Sequence, residues 1–154
     1  MDYIFLKWIH VLSSTILFGA GVGSAFHLFA ATLRRQVGGI AMATRNVVLA
    51  DWLFTTPAAL VQPITGVWLL HLMGIPLSTP WVATSVTLYA VAMACWLPVL
   101  WIQLRLRDLA GQALREGGAL PRAYWRFFAW WVVLGFGGLF SFLAIFWLMV
   151  AKRA

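Results

Sequence analysis

The run from Ile4 to Leu33, IFLKWIHVLSSTILFGAGVGSAFHLFAATL, decides how the whole chain is read. In thirty residues it carries one fixed charge, Lys7. About 20 apolar residues in helix cross a bilayer core. This run therefore spans with length to spare, and it must tilt or protrude. It exceeds the roughly 7–15 apolar residues of a signal peptide, and Asp2 ahead of Lys7 makes a poor basic start. A retained membrane helix is expected.

Three more runs have the same character: about Trp52 to Met73, Trp81 to Leu104, and Trp125 to Val150. The second and third are separated only by the uncharged turn Gly74-Ile75-Pro76-Leu77-Ser78-Thr79-Pro80. Short connections place consecutive helices antiparallel. The expected fold is all-α: one polytopic membrane domain over residues 1–154, four transmembrane helices in an up-down bundle. Composition agrees, with 63% hydrophobic and 10% charged residues and a mean hydropathy of +0.90. A soluble domain carries about 25% charged residues. Ordinary soluble and disordered proteins are thereby excluded.

The net charge of +7 reads as a topology signal rather than a nucleic-acid footprint. Arg34, Arg35 and Arg45 follow helix 1; Arg105, Arg107, Arg115, Arg122 and Arg126 lie between helices 3 and 4. Only Lys7, Lys152 and Arg153 fall on the other side. The positive-inside rule then puts both termini on the periplasmic or exterior face. Basic segments on the cytoplasmic side suit anionic lipid headgroups as well as solvent. Trp8, Trp52, Trp81, Trp101, Trp125 and Trp147 sit near helix ends, where aromatic belts form. Asp51 reads as the N-cap of helix 2, its carboxylate at the positive helix end. Leu104 to Glu116 reads as a basic cytoplasmic extension of helix 3.

Chemistry at depth requires polar groups, which are expensive there. The candidates are His10, His27, His71, Gln62 and hydroxyls such as Ser13, Ser14, Thr65 and Ser85. No carboxylate is expected deep in a span, which argues against a proton relay. The single cysteine, Cys95, excludes an intrachain disulfide framework and any Cys-rich metal site. His10 stands about two turns into helix 1, with Ser14, Leu17, Gly21 and Ser24 on its stripe. Small residues there leave room for a flat group or a close helix. A neutral imidazole at that depth suits a haem-iron ligand; the plainer alternative is an interfacial histidine bonded to water or a neighbouring helix. His71 matches His10 in depth but falls about 180° from Gln62 on the helical wheel. It is a weak second ligand, better read as a snorkelling side chain. Met73 and Met149 are further axial candidates near the outer face. His27 lies near the inner face and cannot share a metal with His10. Gly19, Gly21, Gly23 and Ala25, and Gly135, Gly137 and Gly138, permit close helix approach inside the bundle or across a homodimer.

The stretches Leu6-Lys7-Trp8-Ile9-His10, Ala50-Asp51-Trp52-Leu53-Phe54-Thr55-Thr56-Pro57, Gln62-Pro63-Ile64-Thr65-Gly66 and Ala94-Cys95-Trp96-Leu97-Pro98 resemble a bacterial family of four-span predicted integral membrane proteins of unknown function. The resemblance covers nearly the whole chain. A more distant one is to the HemJ-type protoporphyrinogen oxidases, four-span proteins associated with haem. Lys7-Trp8-Ile9-His10 is similar to their Lys-x-x-His motif, as is Arg126-Phe127-Phe128 before the fourth helix. It implies haem b held by His10. The His and Lys of that family's third helix are missing: Val82, Ala83, Thr84 and Ser85 follow Trp81 here. Porphyrinogen oxidation is therefore not carried over.

Three readings result. One is a b-type haem protein of the bacterial inner (cytoplasmic) membrane, redox or porphyrin-related, with His10 as ligand and Ser14 and Gly21 shaping the pocket. Another is a non-catalytic membrane subunit or dimerisation module without cofactor. The third is a small-solute transporter or channel.

Overall fold

The computed structural model describes residues 2–151; Lys152 and Arg153 of the topology count lie outside them. Four long helices make up the chain: α1 Tyr3–Leu33, α2 Val37–Leu72, α3 Pro80–Glu116 and α4 Arg122–Ala151. All four are long and apolar enough to cross a membrane. Their outer surfaces carry exposed Trp8, Trp52, Trp101, Trp125 and Trp147, as expected of helices that face lipid.

One helix boundary differs from the sequence expectation, while the expected extension of helix 3 to Glu116 is helical. Helix α2 begins at Val37 rather than at about Trp52, so the expected loop is helical. A window scored for apolar content stops at Arg45, Asn46 and Asp51, yet Ile40, Ala41, Ala43, Thr44 and Val47 form a buried face. That face packs on the inner part of α3, which extends to Glu116. Gly117 then ends α3 in the left-handed region at φ 63°, a conformation that costs glycine no Cβ clash.

Asp51 is not a cap. It lies inside α2, in a widened π-turn from Asp51 to Thr55. Pro57 has no N–H for the carbonyl four residues back, and its ring crowds that carbonyl. The wider turn directly ahead of Pro57 accommodates both effects.

The bundle is built from two antiparallel hairpins, α1 with α2 and α3 with α4. They join chiefly where the inner part of α2 meets α3, while α1 and α4 touch sparingly. The core is accordingly divided. An inner cluster contains Leu28, Ile40, Val47, Val99, Leu106, Tyr124, Phe128 and Trp131. A smaller one contains Leu17, Ala58 and Ala59, with Met93, Trp96 and Phe142 against them. Inside the inner cluster the hydroxyls of Thr32 and Tyr124 bond at 2.9 Å, both residues fully buried.

Pro63 explains a further bond between the hairpins. It cannot donate to the carbonyl of Ala59, four residues back. The Tyr89 hydroxyl of α3 donates to that same carbonyl. In a membrane an exposed backbone acceptor finds no water, so a neighbouring side chain takes the role.

Candidate functional site

Helix α1 brings His10 and Ser13 to the α2 face that carries Gln62, Thr65 and Gly66. On both helices the polar pair is spaced by three residues, one turn, so the antiparallel helices match them depth for depth. The small and polar stripe Thr55, Ala59, Gln62, Gly66 and Leu69 is the surface of α2 that receives α1.

The protons can be assigned. Thr65 Oγ1 lies 2.8 Å from the Val61 carbonyl and 3.2 Å from that of Gln62, so its hydroxyl proton is spent on its own helix. Accepting from His10 Nδ1, 2.8 Å away, keeps all of these contacts. We assign His10 the Nδ1–H tautomer on this ground, which leaves its Nε2 lone pair facing Gln62 Nε2 at 3.3 Å. Ser13 Oγ donates to Gln62 Oε1, with the His10 carbonyl at 3.0 Å as its alternative acceptor. The result is a closed chain of hydrogen bonds that fastens α1 to α2. Such interhelical bonds contribute about 0.6 kcal/mol on average in membrane proteins, and up to about 1.7.

Gly66 completes the site. A Cβ built there would meet His10 Cε1 at 3.3 Å, so the ring lies against bare backbone. This close approach is what the glycine supplies.

A haem would need an oriented imidazole and free space at its Nε2. The Nδ1–H···Oγ1 bond orients the imidazole as metal-bound histidines are oriented. The space beside Nε2, however, holds the Gln62 amide, and Gly66 backs the ring. A porphyrin face does not fit in this arrangement. Ser14 turns back to the Val11 carbonyl at 2.8 Å rather than toward α2. No atom of the chain lies within 4 Å of a Cβ built at Gly21. His71 stands six residues beyond Thr65, about 9 Å further along the axis, and is exposed. Met73 is 3.8 Å from the Tyr3 hydroxyl, and Met149 is half-buried. His27 is exposed. Among the described residues no three His, Cys, Asp or Glu side chains gather. Two open grooves lie elsewhere, at the basic end. One runs between Trp101, Arg105, Arg115 and Phe127, the other between Arg45, Arg107, Asp108 and Arg115.

The partners Ser13, Gln62 and Thr65 were visible only as polar residues at depth. Matching their one-turn spacings across an antiparallel hairpin would have paired them with His10. Asp51 escaped because a carboxylate before an apolar run reads as a cap. Its residue is 4% exposed, so a carboxylate does lie buried in the bundle, against the expectation that none would.

No curated protein matches the chain, HemJ-type protoporphyrinogen oxidases included, and no solved structure matches it. Residues 4–153 match the family model described as predicted integral membrane protein, DUF2269, in keeping with the four apolar helices, and the chain belongs to that family.

Proposed function

We propose that the protein is a cofactor-free, non-catalytic module of the bacterial inner membrane, acting through association with a second copy of itself or within a larger complex. The observation that carries this reading is the pair of unused glycine faces. A Cβ at Gly19 or Gly23 of α1, one turn apart, or at Gly135 or Gly138 of α4, would meet nothing within 4 Å beyond its own stretch of helix. By contrast Gly137 is filled from inside, its Cβ position 3.0 Å from Cys95 Sγ. Membrane helices associate through such small-residue faces because lipid supplies no hydrophobic drive between them. The arginines of the basic end, Arg34, Arg35, Arg45 and Arg105 among them, suit anionic headgroups, at about 1 kcal/mol per residue near the surface. The test is energy transfer between labelled copies in liposomes. Transfer should fall on changing Gly19 and Gly23 to Leu; transfer absent in the wild type, with no co-purifying partner, defeats the reading.

The oriented tautomer of His10 favours a second reading, the b-type haem protein with His10 as axial ligand. It requires Gln62 to leave Nε2. An absorption spectrum of protein from haem-supplied cells, oxidised and dithionite-reduced, chooses between the two. A Soret band lost in His10→Ala establishes haem, and a bare 280 nm band after haem titration leaves the module.

A further inference from the structure

Among the described residues, three buried side-chain polar atoms have no hydrogen-bond partner: Asp51 Oδ2, Thr55 Oγ1 and Trp131 Nε1. Two of them belong to the π-turn of α2, one helical turn apart. Asp51 itself is 4% exposed and Thr55 is 5% exposed. Thr55 and, from α3, the buried Gln103 stand beside the carboxyl as its nearest donors, without a hydrogen bond of full geometry to Oδ2. The antiparallel pairing of His10 with Thr65 and Ser13 with Gln62 sets the register of α1 on α2. Extended along the hairpin, it places Asp51 level with Ser24. That is nine residues short of the inner end of α1, about 13 Å at 1.5 Å per residue. Asp51 follows Val47 of the inner cluster by one turn and precedes Ala58 and Ala59 of the smaller one. It thus sits in a polar layer between the two apolar clusters, at the junction of the two hairpins.

A carboxylate in such a place needs a countercharge, or it must lose its charge. The neighbouring elements supply none. On α2, Arg45 lines the basic-end groove with Arg107, Asp108 and Arg115. On α3, Arg105 covers the Trp101 ring. On α4, Arg126 is exposed, and Tyr124 is bonded to Thr32. On α1, His27 is exposed, and beyond its end Arg35 covers the Trp125 ring. Among the described residues the one ion pair is Arg107 with Asp108, at 2.9 Å.

We propose that Asp51 is a membrane-buried proton-binding site, its carboxyl neutral at pH 7 in the assembled bundle. The proton converts Oδ2 from an unpaired acceptor into a donor, with the orphaned Thr55 hydroxyl beside it as acceptor. Release is a simple acid dissociation, giving a carboxylate and a proton taken up by water. The charge it leaves, between α2 and α3, admits water to the polar layer and weakens the contact of the hairpins. The site is independent of the glycine faces and of His10.

Infrared spectroscopy tests this directly, because the chain has only four acidic side chains. Asp2, Asp108 and Glu116 are exposed. The full chain in liposomes at pH 7 should show a protonated-carboxyl C=O band that shifts down in D2O. The band should be lost completely in Asp51→Asn and kept in Asp108→Asn. Should Asp51→Asn fail to assemble, the wild-type band and its D2O shift decide alone. Absence of the band at pH 7, or its survival in a folded Asp51→Asn protein, overturns the proposal. Stabilisation by sodium over choline, with no band and lost in Asp51→Asn, assigns a metal cation and overturns it too.

Discussion

Changing Tyr89 to Phe should destabilise the protein, and changing Pro63 to Ala should remove most of that cost. Tyr89 donates to the Ala59 carbonyl, the acceptor that Pro63 leaves without its helical donor. Ala59 is 5% exposed, so no water replaces the hydroxyl. A buried acceptor stripped of its donor costs about 1–3 kcal/mol. Interhelical hydrogen bonds measured in a membrane protein average about 0.6 and reach about 1.7 kcal/mol. The two ranges overlap at about 1–1.7 kcal/mol, which is the expected loss for Tyr89→Phe alone. In Pro63→Ala the new N–H of residue 63 reaches the carbonyl from within α2. Tyr89→Phe should then cost below about 0.5 kcal/mol, giving a coupling near 1 kcal/mol. The assay is reversible unfolding in mixed detergent–SDS micelles, followed by the fluorescence of the ten tryptophans and by far-ultraviolet circular dichroism. Equal costs in the two backgrounds would refute the reasoning, since the hydroxyl would then not be serving the acceptor that proline orphaned.

Other expectations follow from the same geometry. The His10 nitrogens, in protein labelled at its three histidines, should show the Nδ1–H tautomer by 15N NMR. Thr65→Val should move the proton to Nε2, with the Gln62 amide turning to accept it; an Nε2–H tautomer in the wild type counts against the network. Gly137→Ala should cost about 1–3 kcal/mol through overpacking, because its Cβ falls 3.0 Å from Cys95 Sγ. Adding Cys95→Ala should recover much of this, and strictly additive losses by the same unfolding assay would show that the contact is not the cause. Tyr124→Phe should cost about 1–3 kcal/mol, because it strands the fully buried Thr32 hydroxyl. A thermal midpoint unchanged from the wild type would contradict that.

The four spans were legible because burial in lipid asks only for apolar length, which hydropathy measures. The inner half of α2 was not, since its burial is against protein. There Ile40, Ala43 and Val47 alternate with residues such as Arg45 and Asn46 that a hydropathy window averages in. The wheel of α2 set His71 opposite Gln62, and Gln62 does lie on the small and polar face that avoids lipid, with His71 exposed. What a single helix could not show was the partner. Ser14 and Ser13 are neighbours, and the stripe drawn through His10 passes through Ser14. The tertiary pairing selects Ser13, because the α1–α2 crossing presents the residue three, not four, positions on.

The same point separates the two polar sites. At His10 the ring nitrogens and the Ser13 and Thr65 hydroxyls all find partners across or along the α1–α2 contact, so the site fastens the two helices. At Asp51 the sequence suggests an ordinary helix start, and the structure leaves an acceptor and a hydroxyl unsatisfied inside the bundle. Unsatisfied polar groups cost most where water is absent, and selection for packing alone would replace them by apolar side chains of similar size. A buried carboxyl in a π-turn, with no cation facing it among the described residues and only Thr55 and Gln103 beside it, is what the proposed proton site rests on. On the proposed reading, the glycine faces and the His10 clasp serve assembly, and Asp51 is where that assembly responds to the proton activity around it.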